Sequence, residues 1–221
     1  VVDRIPTGDE KVVADDYAVS FGGNAVAAAF CCAKLGIVPE LMTSLADDSV
    51  GGDRGRDGAT TGFPGQWATL EFSGSTSATK LSTTTVRFGQ KVAFTAAAPQ
   101  MNYATISSMS VAAAAMDLGS SPSGIGNRAF GSPLNGIDVS AGQMTASRRW
   151  GVTGIPIVVR NMIDVTGSAT TLTVDPGVVV KLRGLDRHIG SGDFTTNTAE
   201  LVFNGRLLSQ GTAAAPVYFT S

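Results

Sequence analysis

Four aspartates crowd one short glycine-rich stretch, Asp47-Asp-Ser-Val-Gly-Gly-Asp-Arg-Gly-Arg-Asp-Gly58. Asp53, Asp57 and Gly58 fall at the first, fifth and sixth places of the calcium-loop pattern, in which carboxylates and carbonyls wrap a hard cation. Gly55 stands at the third place and no glutamate at the twelfth, while Arg54 and Arg56 bring positive charge where the cation would sit. A solvated turn held by its own Asx hydrogen bonds fits these departures better. Calcium on Asp47, Asp48, Asp53 and Asp57 is the metal reading; otherwise no cofactor is expected. The same acids are candidates for the two carboxylates that polysaccharide hydrolysis sets about one bond. Gathered on one loop, they read more plainly as hydrated.

The remaining reactive side chains are scattered. His188 is the one histidine, in the basic stretch Lys181-Leu-Arg-Gly-Leu-Asp-Arg-His188, with no acid at a fixed spacing to orient it. It reads as a surface residue. Trp67 and Trp150 would stack on sugar rings if exposed, or pack over a strand if not. Arg148-Arg149 is too short a basic run for nucleic acid, and the net charge of -2 gives no electrostatic case for it. Cys31 and Cys32 are adjacent, which strains a disulfide, and no histidine lies near them to complete a zinc site. They read as small buried thiols.

What positions these residues follows from composition. Of 221 residues, 43% are apolar, 7% aromatic and 15% charged. The core must be built from Val, Leu, Ile and Ala, under a surface that is hydroxylic rather than ionic. No apolar run is long enough to span a membrane. The chain begins without Met, so it reads as a mature form or an excised fragment.

Two grammars divide it. In residues 1–45, Phe21-Gly-Gly-Asn24 is a turn and Asn24 a helix N-cap. Ala25 to Leu35 is then an Ala-rich helix stopped by Gly36. From 46 to 221 short β-rich runs follow one another, each closed by Gly or Pro. They include Trp67 to Phe72, Leu81 to Phe88, Leu134 to Val139, Met144 to Trp150, Thr171 to Arg183, Glu200 to Thr212 and Pro216 to Ser221. Asp117 to Pro133 is expected to be loop. Runs such as Val178-Val-Val180 do not alternate, as expected of strands buried in a parallel stack. Each rung is too short to bury its own apolar face and must stack on the next. A β-sandwich is the rival, because Asn204-Gly205 between two apolar runs is a hairpin signal.

Two resemblances accompany these patterns. Val2-Asp-Arg-Ile-Pro6 with Ser20-Phe-Gly-Gly-Asn-Ala-Val-Ala-Ala-Ala-Phe-Cys-Cys-Ala-Lys-Leu-Gly36 resembles the N-terminal part of PfkB (ribokinase-like) sugar kinases. That resemblance implies Asp3, Gly22, Gly23 and Asn24 as substrate contacts. It also implies Asp193, in Gly190-Ser-Gly-Asp193, as catalytic base, with ATP and magnesium. Residues from about 43 onward resemble right-handed parallel β-helix repeat proteins of bacterial surface or secreted chains. Pro64-Gly-Gln-Trp67, Leu172-Thr-Val-Asp-Pro-Gly-Val-Val-Val180, Asn204-Gly-Arg-Leu207 and Gly211 to Ser221 carry it.

The expected protein is mainly β, a right-handed parallel β-helix (solenoid) capped by the N-terminal helix. The expected function is a non-catalytic scaffold of an extracellular or cell-surface protein, serving adhesion, assembly or carbohydrate contact. Flat Thr/Ser-rich ladder faces such as Thr79 to Thr85 would be the contact surface. A polysaccharide lyase or hydrolase on the same frame, and a sugar-kinase fragment, are the alternatives. The expected partners are carbohydrate, or another chain meeting an exposed rung at Phe219.

Overall fold

The computed structural model describes residues 47–53, 58–183 and 199–221. The chain divides into two compact units, Val1–Gly62 and Phe63–Ser221. The expected helix at Ala25 to Leu35, and the capping role given to it, lie outside the described residues.

The second unit is a parallel β-solenoid of about five turns, with no helix among the described residues. Its strands follow one another in threes. β1 (Trp67–Ser73), β2 (Lys80–Ser82) and β3 (Thr85–Arg87) lie beneath β4 (Gly89–Thr95), β5 (Gln100–Asn102) and β6 (Thr105–Ser107). Next come β7 (Ala114–Met116), β8 (Ser123–Gly124) and β9 (Arg128–Phe130), then β10 (Ile137–Val139), β11 (Gly142–Met144) and β12 (Arg148–Val152). β13 (Ile157–Val159), β14 (Met162–Val165) and β15 (Thr171–Val174) precede β16 (Val179–Leu182), β17 (Glu200–Phe203), β18 (Arg206–Ser209) and β19 (Tyr218–Thr220).

A seven-stranded sheet runs β1-β4-β7-β10-β13-β16-β19 and a six-stranded one β18-β15-β12-β8-β5-β2. Two three-stranded sheets, β3-β6-β9 and β11-β14-β17, complete the walls. Up to β9 the third wall follows the six-stranded sheet; from β11 on it precedes it, because β12 stacks on β8 and not on β9. The cross-section therefore changes shape partway along.

Every strand pairing among the described residues is parallel, which overturns the sandwich alternative. Asn204-Gly205 is no hairpin. β17 pairs with β14 and β18 with β15, so the dipeptide is a corner between two walls. A Cβ at Gly205 would sit 2.5 Å from the Thr170 carbonyl oxygen, so close approach of the neighbouring circuit demands glycine there. The expected loop from Asp117 to Pro133 holds β8 and β9. Strands of two or three residues stabilised by stacking leave no periodicity to read.

The interior is a set of stacked columns. In the seven-stranded sheet Leu70, Val92, Ala114, Ile137, Ile157, Val180 and Phe219 are successive register partners. Phe72, Phe94, Met116, Val139, Val159 and Leu182 form the next column inward of the same face. The Phe72 and Phe94 rings stack with centroids 5.8 Å apart. Strand residues two apart share a face, so a short strand contributes one or two residues to the interior and neighbouring circuits supply the rest of the cover. Val92, Ile137, Ile157 and Val180 are fully buried as a result.

The corners obey a second rule, invisible in the hydrophobic pattern. Ala96, Tyr103 and Ser108 have left-handed backbone, with φ of 47°, 54° and 52°. The N–H that follows each corner donates to a buried side chain one circuit on. Ala97 N–H donates to Ser120 Oγ, Ala104 N–H to Asn127 Oδ1 and Met109 N–H to Ser132 Oγ, each at 3.0 Å. Buried backbone donors require partners, and three polar side chains supply them.

Candidate functional site

The solenoid carries its accessible chemistry on the outer faces of its walls. On the seven-stranded sheet one outer column runs Glu71, Ala93, Ala115, Asp138, Val158 and Lys181. Beside it Ser73 pairs with Thr95, whose hydroxyl donates to Glu71 Oε1 at 3.0 Å. The β3-β6-β9 wall carries Thr85, Thr105 and Arg128 in line.

Ion pairs tie circuits together on the seven-stranded and six-stranded sheets. Arg160 donates through Nε to Asp138 Oδ1 at 2.7 Å, and its Nη2 engages Oδ2. Arg149 Nε donates to both Asp175 oxygens, at 2.8 and 2.7 Å. Hydrogen bonding to the carboxylate, above all, raises both guanidinium groups above the ordinary arginine value. The charge of Asp175 adds to this for Arg149, whereas partial burial opposes it for Arg160 before the charge of Asp138 contributes. Sequence reasoning missed both pairs. Their signal was opposite charges about one circuit apart, and circuit length varies too much to be read in advance.

Both tryptophans pack. Trp150 lies in the interior at 1% exposure. Trp67 is 37% exposed, but its Nε1 donates to the Arg87 carbonyl at 2.9 Å and its ring lies over Gly89, where a Cβ would come within 2.4 Å of the ring. A ring fixed in this way is part of the rung beneath the next circuit. Thr79 to Thr85 is not one flat face either. It runs through β2, turns at Thr83 with φ of 50° and enters β3.

In the first unit the aspartates serve their own loop. Thr60 donates to Asp48 Oδ2 through its N–H at 2.6 Å and its hydroxyl at 2.9 Å. The Ser49 hydroxyl donates to Asp47 Oδ1 at 2.6 Å, and Gly58 N–H to Asp53 Oδ2 at 3.1 Å. Among the described residues no three His, Cys, Asp or Glu side chains converge as a metal site. Asp57 lies outside the described residues, as do Cys31, Cys32, His188 and the kinase-like set Asp3, Gly22, Gly23, Asn24 and Asp193. Among the described residues no helix is long and apolar enough to cross a membrane.

These features define a parallel β-solenoid with a packed apolar interior. No family model, curated protein or solved structure matches the chain.

Proposed function

We propose that this chain is a non-catalytic scaffold of a secreted or cell-surface protein, whose solenoid walls make contacts in adhesion, assembly or carbohydrate binding. One observation carries the reading. The interior is filled wall to wall by apolar columns, so what the solenoid offers is the regular outer surface of its ladders, with groups such as Thr85 and Thr105 held at the spacing of stacked strands. A repeating rigid surface suits extended contact better than it suits converging catalytic groups.

Assembly would use the rung of β17, β18 and β19, the last described strands of three of the four sheets. Leu207 and Phe219 continue interior columns yet remain 40% and 41% exposed, and a further strand from another chain would cover them.

Co-sedimentation with insoluble polysaccharides and with cell-wall material tests the scaffold. Retention is expected, reduced several-fold by Thr85→Lys with Thr105→Lys at an unchanged melting temperature. The absence of retention on any surface, or release of unsaturated products absorbing in the ultraviolet, would overturn it.

A further inference from the structure

The β3-β6-β9 wall is bounded on both sides by left-handed corners. Thr83, Tyr103 and Gly126, with φ of 50°, 54° and 70°, precede its three strands. Phe88, Ser108 and Gly131, with φ of 67°, 52° and 70°, follow them. Glycine therefore serves at either corner. A bulky side chain in that backbone region is strained and persists only where its surroundings or a function demand it. Tyr103 gains little burial in return. It is 61% exposed, with its ring beside Gly126, where a Cβ would come within 2.5 Å of the ring. Ile125, whose carbonyl accepts from Tyr103 N–H at 2.8 Å, is a second exposed apolar side chain at the same corner.

Between the corners, register sets the outer face. Val86, Ile106 and Ala129 turn inward, so Thr85, Thr105 and Arg128 line up outside. Arg87, Ser107 and Phe130 form the next outer column. Phe130 is exposed and stands about 13 Å from the Tyr103 corner along the strands. Ser107 is buried, and Arg87 is engaged, its guanidinium 5.3 Å from the Phe88 ring centroid. Arg128 is exposed and makes no ion pair among the described residues. The wall thus has an exposed aromatic ring towards either end, hydroxyls between them and a cation among the hydroxyls.

We propose that this wall holds one strand of an acidic polysaccharide, with sugar rings against Tyr103 and Phe130, sugar hydroxyls on Thr85 and Thr105, and a carboxylate on Arg128. The inference rests on the carbohydrate reading above and adds the wall, the anchors and the charge of the polymer. Sugar rings present apolar C–H faces that pack on aromatic rings, and aromatic side chains lose little conformational freedom in holding them. A guanidinium matches a carboxylate through paired charge-assisted hydrogen bonds. The two anchors are too far apart for a single sugar ring, so the occupant is a linear polymer. Lysines at Thr85 and Thr105 would obstruct the strand between its anchors, whatever charge they bring.

The test is native gel electrophoresis of the whole chain through carboxymethylcellulose and through hydroxyethylcellulose, which share a backbone and differ in charge. At low salt the acidic polymer should retard the chain at a concentration about tenfold below that of the neutral one, a gap that narrows in high salt. Arg128→Gln should remove this preference and leave retardation by the neutral polymer unchanged. Tyr103→Gly should weaken retardation by both polymers, up to about tenfold, with no loss of melting temperature. Glycine suits φ of 54°, so the fold does not need the ring. A lowered melting temperature with retardation intact would assign Tyr103 to the fold alone and overturn the proposal. Equal retardation by the two polymers, or none by the acidic one, would also overturn it. Retardation that survives Tyr103→Gly with Arg128→Gln would put the polymer on another wall, which overturns this inference and leaves the scaffold reading standing.

Discussion

Asn127 joins three successive circuits through one side chain, and removing that side chain is the sharpest perturbation the corners allow. The residue is 2% exposed. Its Oδ1 accepts from Ala104 N–H at 3.0 Å, and its Nδ2 donates to the Met101 carbonyl at 2.9 Å and the Thr153 carbonyl at 3.3 Å. Asn127→Ala strips the acceptor from a fully buried N–H, a loss of about 1–3 kcal/mol for an orphaned donor. The two lost donations add about 1 kcal/mol together, since one is long and carbonyls tolerate a missing partner better than donors do. The expected destabilisation is about 3 kcal/mol. With a urea slope near 2 kcal/mol/M, the midpoint falls by about 1.5 M at constant slope. Asn127→Asp separates the terms. It keeps an acceptor for Ala104 but places a buried carboxylate against the Met101 carbonyl, which raises that carboxyl's folded pKa above the unfolded value. The penalty is absent below the unfolded value near 3.9 and grows as pH rises, by about 1.4 kcal/mol per unit, until the folded value is passed. Urea melts of both variants at pH 4 and pH 7, read by circular dichroism, decide the matter. A loss under about 1 kcal/mol for the alanine variant, or an aspartate variant equally stable at both pH values, would refute the reasoning.

Further consequences follow from the same geometry. Gly124→Ala would set a Cβ 1.7 Å from the Met101 carbonyl oxygen at φ of 127°, so the variant should lose about 3 kcal/mol or more, or fail to fold, as circular dichroism would show. Trp150→Ala should destabilise by about 3–5 kcal/mol in urea melts and remove the blue-shifted part of the tryptophan emission, leaving that of Trp67. Arg160→Gln should lower stability by no more than about 1 kcal/mol, by the same amount at pH 6 and pH 10. The raised guanidinium value means that the pair's contribution is complete below the ordinary arginine value and is lost only as pH climbs through the higher folded one. A difference between the two pH values would contradict that. Millimolar calcium should leave the melting midpoint unmoved, because Asp47, Asp48 and Asp53 already accept hydrogen bonds within their loop.

The solenoid was legible where strands carry runs of branched residues. Val178-Val-Val180 and Leu201-Val-Phe203 point to parallel stacking because no solvated face interrupts them. β8 and β9 were not legible. Ser123-Gly124 and Arg128-Ala-Phe130 have neither alternation nor branching, and they are strands because β5, β6 and β12 pair with them. Tertiary pairing overrides propensity there. The corner contacts were hidden for a related reason. Ser120, Asn127 and Ser132 look like ordinary loop residues, and their buried roles depend on left-handed corners at Ala96, Tyr103 and Ser108, where glycine or asparagine would have been the usual signal. Thr79 to Thr85 misled in the opposite sense. A hydroxyl-rich run looks like one face, but a left-handed Thr83 folds it round an edge. The ion pairs of Arg149 and Arg160 span residues brought together only by circuit length, which local sequence does not encode.

Stacked in-register circuits are the basis of everything above, and an outer column offers a ruler for them. Glu71 and Lys181 occupy the same column five rungs apart, through Ala93, Ala115, Asp138 and Val158. Spin labels at Glu71→Cys and Lys181→Cys, with Cys31 and Cys32 replaced by serine, should give a narrow distribution by double electron–electron resonance, centred near the backbone separation of about 24 Å for strands 4.8 Å apart. Moving the second label from Lys181 to Asp138 should shorten the distance by about two strand spacings. A broad distribution, or a distance that does not fall when the second label moves closer in rung order, would contradict the solenoid.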